Sequence, residues 1–137
     1  MITSNHRIIC GKVRHRAVLL LMVSFFFFAF KEEQRDITIF MIGDSTMANK
    51  NLVGGNPERG WGQMLPGFFT ENIRVCNYAK NGRSSKSFID EGLWDEVISQ
   101  VRKGDYVFIQ FGHNDEKPDE LRHTVPGSTF DDNLRRF

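Results

Sequence analysis

Apolar positions run continuously through three short stretches of this chain and recur periodically between them. The stretches are Ile37-Thr38-Ile39-Phe40-Met41-Ile42, Ile73-Arg74-Val75-Cys76-Asn77-Tyr78 and Tyr106-Val107-Phe108-Ile109-Gln110-Phe111. Runs of β-branched and aromatic residues of this length predict strands. The first and third are apolar enough to predict strands buried on both faces, as in a parallel sheet covered by helices. Asn49 to Arg59, with Gly54-Gly55-Asn56-Pro57 inside it, predicts a loop. Gly60–Phe69 predicts a short helix, irregular around Pro66. Asn81-Gly82-Arg83-Ser84-Ser85 predicts a turn entering a helix. Leu93, Trp94, Val97, Ile98 and Val101 follow at helical spacing and predict an amphipathic helix ending near Gly104. Gly112 to Gly127 is polar loop. Ser128 or Thr129 can cap a last helix, with Asp131 and Asp132 in its first turn and Phe130, Leu134 and Phe137 on its apolar face.

Alternating strands and helices predict an α/β fold, a parallel sheet with right-handed crossovers and helices on both sides. Every strand-to-helix turn of such a sheet emerges at one edge, where ligands bind. Three polar, glycine-containing turns are expected there. They are Gly43-Asp44-Ser45, the stretch from Asn77 through Gly82-Arg83-Ser84, and Gly112-His113-Asn114-Asp115. Taken alone, Asp44 or Ser45 could cap a following helix as readily as place a nucleophile. Capping accounts poorly for three such turns after three strands.

Length and charge bound the rest. The 137 residues suit about one domain. Residues 1–30 hold Arg7, Lys12, Arg14 and Arg16 and no acid, which leaves 14 basic against 17 acidic residues in the remainder, a net −3. A mildly acidic body gives no electrostatic reason to expect nucleic-acid binding. Ala17 to Phe30 is apolar except for Ser24, 14 residues in all. That is short for a membrane span and the right size for the core of an export signal. Residues 1–35 are therefore expected to be a signal peptide or, if uncleaved, an anchor on 17–30, and the body to be secreted or periplasmic. Cys76 is the only cysteine of the body, expected as a small core residue rather than a reactive thiol.

Acyl transfer needs a nucleophile, a base and donors aimed at the developing oxyanion. Ser45 can supply the first. The N–H groups of Ser45 and Gly82 and the side-chain amide of Asn114 can supply donors. The chain has no G-x-S-x-G elbow, P-loop, dinucleotide fingerprint or metal-spaced His or Cys cluster. Gly43-Asp44-Ser45, Gly82 and Gly112-His113-Asn114-Asp115 resemble, in order and spacing, the first three blocks of the SGNH (GDSL-type) hydrolases. With Thr46-Met47, Arg83-Ser84-Ser85-x-Ser87-Phe88 and Pro126-Gly127-Ser128-Thr129-Phe130, the chain looks most like the rhamnogalacturonan acetylesterase branch. The resemblance covers Ile37 to Phe137. It implies a flavodoxin-like three-layer sandwich and hydrolysis of acetyl esters on pectic rhamnogalacturonan. It maps Ser45 to the nucleophile, Gly82 and Asn114 to the oxyanion hole, and Asp44 and Asp115 to turn-bracing neighbours. His113 maps to a structural or substrate-facing position. No metal or organic cofactor is implied.

The family's last block, Asp-x-x-His, which supplies the base and its orienting acid, has no counterpart here. His6 and His15 lie in the N-terminal segment, and His123 lies in the loop after the third strand, where the family places no base. Residues 36–137 are thus expected to be the N-terminal part of a longer hydrolase domain, cut after the third strand and the start of the next helix, and inactive by itself. Two other readings stand beside this one: a non-catalytic glycan-binding remnant, and an SGNH esterase or lipase acting on another acyl ester. Trp94 is expected in the core. Trp61 could be core or a sugar-stacking surface. Lys80, Arg83 and Lys86 form a small basic set that is solvated or, on a polyuronate, useful.

Overall fold

Ile37–Gly43 is the central strand β1, flanked on one side by β2 (Ile73–Asn77) and on the other by β3 (Tyr106–Gln110), all parallel. The computed structural model describes residues 36–137. The expected export signal or anchor falls on residues 1–35 and lies outside the described residues. Among the described residues no helix is long and apolar enough to cross a membrane. The strand order β2-β1-β3 is that of the first three strands of a flavodoxin-like sheet, with its switch point between β1 and β3.

The alternation along β1 builds two cores. Phe40 and Ile42 pack with Phe88, Ile89, Trp94 and Val97 on one face of the sheet. Ile39 and Met41 pack with Met47, Ala48 and Ala79 on the other. Met41 and Ile42 are 0% exposed, as a central strand sandwiched between two layers requires. Burying such a side chain contributes about 1.5–3 kcal/mol.

The expected burial of β3 does not hold. Tyr106 is 57% exposed, and Phe108 and Ile109 are also exposed. Among the described residues β3 pairs with β1 alone, which leaves its other side and part of both faces uncovered. The helices are also shorter than the periodicity implies. Gly60–Phe69 resolves into α1 (Trp61–Met64) and a 3-10 turn (Leu65–Phe68) with Pro66 at its start, and a further 3-10 turn forms at Val53–Gly55. The segment after the second turn forms α2 (Ser85–Asp90) and α3 (Leu93–Ile98). Gly92, at φ 72°, separates them in a left-handed conformation that favours glycine, and Val101 lies beyond α3. Trp94 is buried as expected, and the half-buried Cys76 packs against the same core.

The last helix, α4 (Thr129–Arg136), starts where the sequence indicates, but Ser128 makes no side-chain cap. Thr129 Oγ1 instead accepts the Val125 N–H at 2.8 Å, and Asp131 Oδ1 accepts that of Gly127 at 3.1 Å. Leu134 is exposed rather than packed. Phe137 holds the helix end down, its ring 5.4 Å from that of Phe111 and 5.3 Å from that of Trp94.

Candidate active site

Hydrogen bonds lace the three rim turns together. The first turn is tied to the second through the Lys80 N–H, which donates to the Gly43 carbonyl at 3.0 Å. It is tied to the third through the Asp44 N–H, which donates to the Gln110 carbonyl at 3.3 Å. The second and third are joined where Asn114 Nδ2 donates to the Arg83 carbonyl at 3.1 Å, and where the Ser85 N–H donates to Asp115 Oδ1 at 2.9 Å. Ser45, Gly82 and Asn114 therefore belong to one connected rim.

The first turn is a single loop of chain, not a helix start. Met47 and Ala48 both donate N–H to the Asp44 carbonyl, at 3.3 and 3.0 Å, and the helical conformation goes no further. A helix cap is thus excluded as the reason for Asp44-Ser45. Asp44 is wholly buried. Its Oδ1 accepts the Thr46 N–H at 2.9 Å and Gln110 Nε2 at 3.2 Å, and Thr46 Oγ1 lies 2.8 Å away. Thr46 Oγ1 also lies 2.5 Å from Gln110 Oε1. Asp44, Thr46 and Gln110 thereby grip the turn on either side of Ser45. Asp44 Oδ2 is buried without a partner, an arrangement that costs about 1–3 kcal/mol and that functional sites tolerate. Ser45 is half-buried, and its hydroxyl and N–H make no hydrogen bond among the described residues.

Gly43 serves a different purpose from the tight turn its position suggests. Its φ is not positive; instead an added Cβ would stand 2.6 Å from the Gln110 carbonyl oxygen and 3.1 Å from Met47 Sδ. It is small because β3 and Met47 crowd it. Gly82 has the opposite reason. It sits at φ 76°, and a Cβ there would meet nothing within 4 Å, so backbone conformation and an open approach coincide.

Serines anchor the second turn. Ser84 and Ser87 form a reciprocal capping box on α2, with Ser84 Oγ accepting the Ser87 N–H at 3.1 Å and Ser87 Oγ accepting that of Ser84 at 2.9 Å. Asp115 holds this turn to the third. Its Oδ1 accepts from the Ser85 N–H, Ser85 Oγ and Thr124 Oγ1, and its Oδ2 accepts the Gly112 N–H at 3.0 Å. Asn133 of α4 donates to Ser85 Oγ at 3.0 Å, which ties the last helix to the rim. Asn114 is buried. Only one of its two amide N–H groups is needed for Arg83, so the other is free to meet a ligand oxygen.

The histidines are less integrated. His113 is exposed, its Nδ1 3.7 Å from Glu116 Oε1. His123 Nδ1 lies 3.1 Å from the Lys117 carbonyl. Neither hydrogen-bonds Ser45. A cavity of about 320 Å³ is lined by Gly112, Asp115, Glu116, His123, Thr124, Pro126 and Phe130. It shares the third turn with the rim but includes none of Ser45, Gly82 and Asn114. Among the described residues no three His, Cys, Asp or Glu side chains converge as metal ligands.

Residues 39–137 match the model of the GDSL-like lipase/acylhydrolase family. The chain belongs to that family. It is 41% identical over 104 residues to the rhamnogalacturonan acetylesterase RhgT of Bacillus subtilis (strain 168), covering 76% of this chain and 43% of that protein. It is 37% identical over 78 residues to the rhamnogalacturonan acetylesterase of Emericella nidulans, covering 57% of this chain and 28% of that protein. The crystal structure of Bacillus subtilis YxiM superposes with a TM-score of 0.65 at 30% identity, over 74% of this chain and 28% of YxiM. The chain thus spans less than half the length of these GDSL-like relatives.

Sequence reasoning named Thr46 and Asn77 without giving them a role, and passed over Gln110. Gln110 and Thr46 grip the turn that carries Ser45, and a polar amide ending an otherwise apolar strand was the signal for the first. Asn77 ties the loop after Ser45 to β2, donating through Nδ2 to the Met47 carbonyl at 3.0 Å and Asn49 Oδ1 at 2.9 Å, and accepting the Ala79 N–H at 3.1 Å. Trp61 is 41% exposed beside this loop, its N–H donating to the Thr46 carbonyl at 3.0 Å.

Proposed function

We propose that this chain carries the nucleophile and oxyanion hole of a serine esterase that removes acetyl groups from pectic rhamnogalacturonan. The observation that carries the reading is the laced rim. It holds an uncommitted serine hydroxyl in a gripped turn, beside an asparagine amide with one N–H to spare and a glycine open to approach. Ser45 Oγ attacks the acyl carbonyl, and the oxyanion is received by Asn114 Nδ2 and the N–H groups of Gly82 and Ser45. Asp44 and Asp115 hold the turns in place. The relatives named for rhamnogalacturonan support the substrate class.

The base is the missing part of the site. No described histidine touches Ser45, and the Asp-x-x-His block of the family has no counterpart among these 137 residues. In this reading the chain by itself turns over acetyl esters at most weakly, since hydrolases without a triad member keep only residual catalysis. A second reading, a glycan-binding protein that uses the rim without chemistry, is the other outcome of the deciding assay. Export through residues 17–30 belongs to the proposal, and N-terminal sequencing of protein recovered outside the cell tests it.

The deciding assay is acetate release from acetylated rhamnogalacturonan, acetylated xylan and a chromogenic acetyl ester, with wild type, Ser45→Ala and Asn114→Ala. Turnover, however weak, that Ser45→Ala abolishes and Asn114→Ala lowers supports the esterase. Turnover that survives Ser45→Ala refutes the assignment of the nucleophile. Saturable glycan binding without turnover supports the second reading.

A further inference from the structure

Four cations lie on or against the second turn, and the fold neutralises only two of them. Arg83 places Nε and Nη2 on Glu91 Oε2 at 3.1 and 3.0 Å. Lys86 Nζ lies 2.7 Å from Asp90 Oδ2. Lys50 is different. Its ammonium donates to Asn81 Oδ1 at 3.2 Å, a neutral amide, and meets no carboxylate among the described residues. Lys80, exposed, places its ammonium on no partner among the described residues.

Lys50 is nevertheless held in place. Its N–H donates to Gln63 Oε1 at 3.0 Å, and Gln63 Nε2 donates to its carbonyl at 3.4 Å, so α1 clamps its backbone from both sides. From the loop after Ser45 its side chain crosses to Asn81, the residue before Gly82. An ammonium has three donors, and two of them remain uncommitted here. Lys80 is fixed at its backbone by the bond to the Gly43 carbonyl, two residues before Gly82. Two lysines whose ammonium groups meet no carboxylate among the described residues thus belong to the neighbourhood of Asn81–Gly82, Lys50 by its bond to Asn81 and Lys80 by its place in the same turn.

We propose that Lys50 and Lys80 are specificity-determining residues of this rim, binding carboxylates of a uronate-bearing glycan beside Asn81–Gly82. The proposal rests on the esterase reading above and adds what selects the chain that carries the ester. A galacturonan presents carboxylates along its length; a xylan backbone presents none. Lysine suits the task because a compact ammonium accepts a carboxylate from several directions, whereas a planar guanidinium demands one. The paired Arg83 and Lys86 take no part.

Two measurements on the protein test this. The first is titration of unacetylated trigalacturonate and of xylotriose, followed by heteronuclear NMR at low salt and at 0.3 M NaCl. An exposed ion pair is worth a factor of about two to five, so two predict about a tenfold preference for the acidic trisaccharide, shrinking with salt. Lys50→Met with Lys80→Met should remove that preference, Lys50→Arg with Lys80→Arg should retain most of it, and Lys86→Met should leave it unchanged. The second is the ratio of kcat/KM on acetylated rhamnogalacturonan to that on acetylated xylan, which the double methionine variant should lower about tenfold through KM. Equal binding of the two trisaccharides, or a preference that Lys86→Met removes as fully as the double variant does, overturns the proposal. If turnover survives Ser45→Ala, the esterase reading falls and the binding titration still decides the role of Lys50 and Lys80.

Discussion

Asp115→Asn is the substitution that most directly probes how the rim is held. The aspartate is buried and accepts four hydrogen bonds, three on Oδ1 and one on Oδ2. Asparagine has the same shape but only one acceptor oxygen. Keeping that oxygen on the Ser85 and Thr124 side forces the amide nitrogen against the Gly112 N–H, donor against donor. A hydrogen bond to a charged group contributes about 1.5–3 kcal/mol, and a buried donor left unsatisfied costs about 1–3 kcal/mol. The remaining three bonds also lose their charge assistance. Easier burial of a neutral amide offsets part of this, which leaves a destabilisation of about 3 kcal/mol. Thr124→Val removes a single donor to Oδ1 and should cost about 1 kcal/mol. Urea unfolding followed by Trp94 fluorescence measures both. With an m-value of about 1.5 kcal/mol/M, Asp115→Asn should lower the midpoint by about 2 M and Thr124→Val by less than half as much. A midpoint within about 0.3 M of wild type for Asp115→Asn would refute the reasoning, because the carboxylate's desolvation would then match everything its hydrogen bonds return.

Other expectations follow from the same geometry. Gly60→Ala would bring a Cβ within 2.0 Å of the Ala48 carbonyl oxygen. The turn after Ser45 must then shift, and thermal unfolding should show a loss of about 3 kcal/mol. Gly82→Ala meets no neighbour and bears only the strain of φ 76°, about 1–2 kcal/mol, a smaller loss in the same experiment. Asn77→Ala frees the Ala79 N–H and the Met47 carbonyl together and should cost about 2 kcal/mol in urea unfolding. The hydrogen bond and charge of Arg122 hold the Asp119 carboxyl below its ordinary value of 3.8, and Asp119 in turn raises Arg122. Because the folded value is depressed, the pair's small stabilisation is complete above the unfolded-state value and lost as pH falls through the folded one. Carbonyl NMR titration should place the Asp119 midpoint below 3.8, and Arg122→Met should move it upward.

Sequence by itself determined the strands, their parallel sense and the three polar turns, because these follow from local apolar runs and from the geometry of strand–helix alternation. β1 was legible residue by residue, since a strand covered on both faces must be apolar at every position. The candidate residues Ser45, Gly82 and Asn114 were legible from block order and spacing. The tertiary structure decided what surrounds them. That Tyr106 and Phe108 stand on an exposed edge depends on which strand pairs with which, and no local pattern carries that information. The grip of Gln110 on the turn that carries Ser45 spans 66 residues from Asp44, and the anchor of Asp115 on Ser85 spans 30. Gly43 and Gly82 look alike in sequence, yet one answers to a crowding carbonyl and the other to a left-handed backbone. Charge behaved the same way: Lys80, Arg83 and Lys86 read as one basic set until pairing engaged Arg83 with Glu91 and Lys86 with Asp90, and the fold brought Lys50 from the loop after Ser45 to Asn81. Local propensity is written in consecutive residues, whereas the partner of a buried or charged group is chosen by the whole fold.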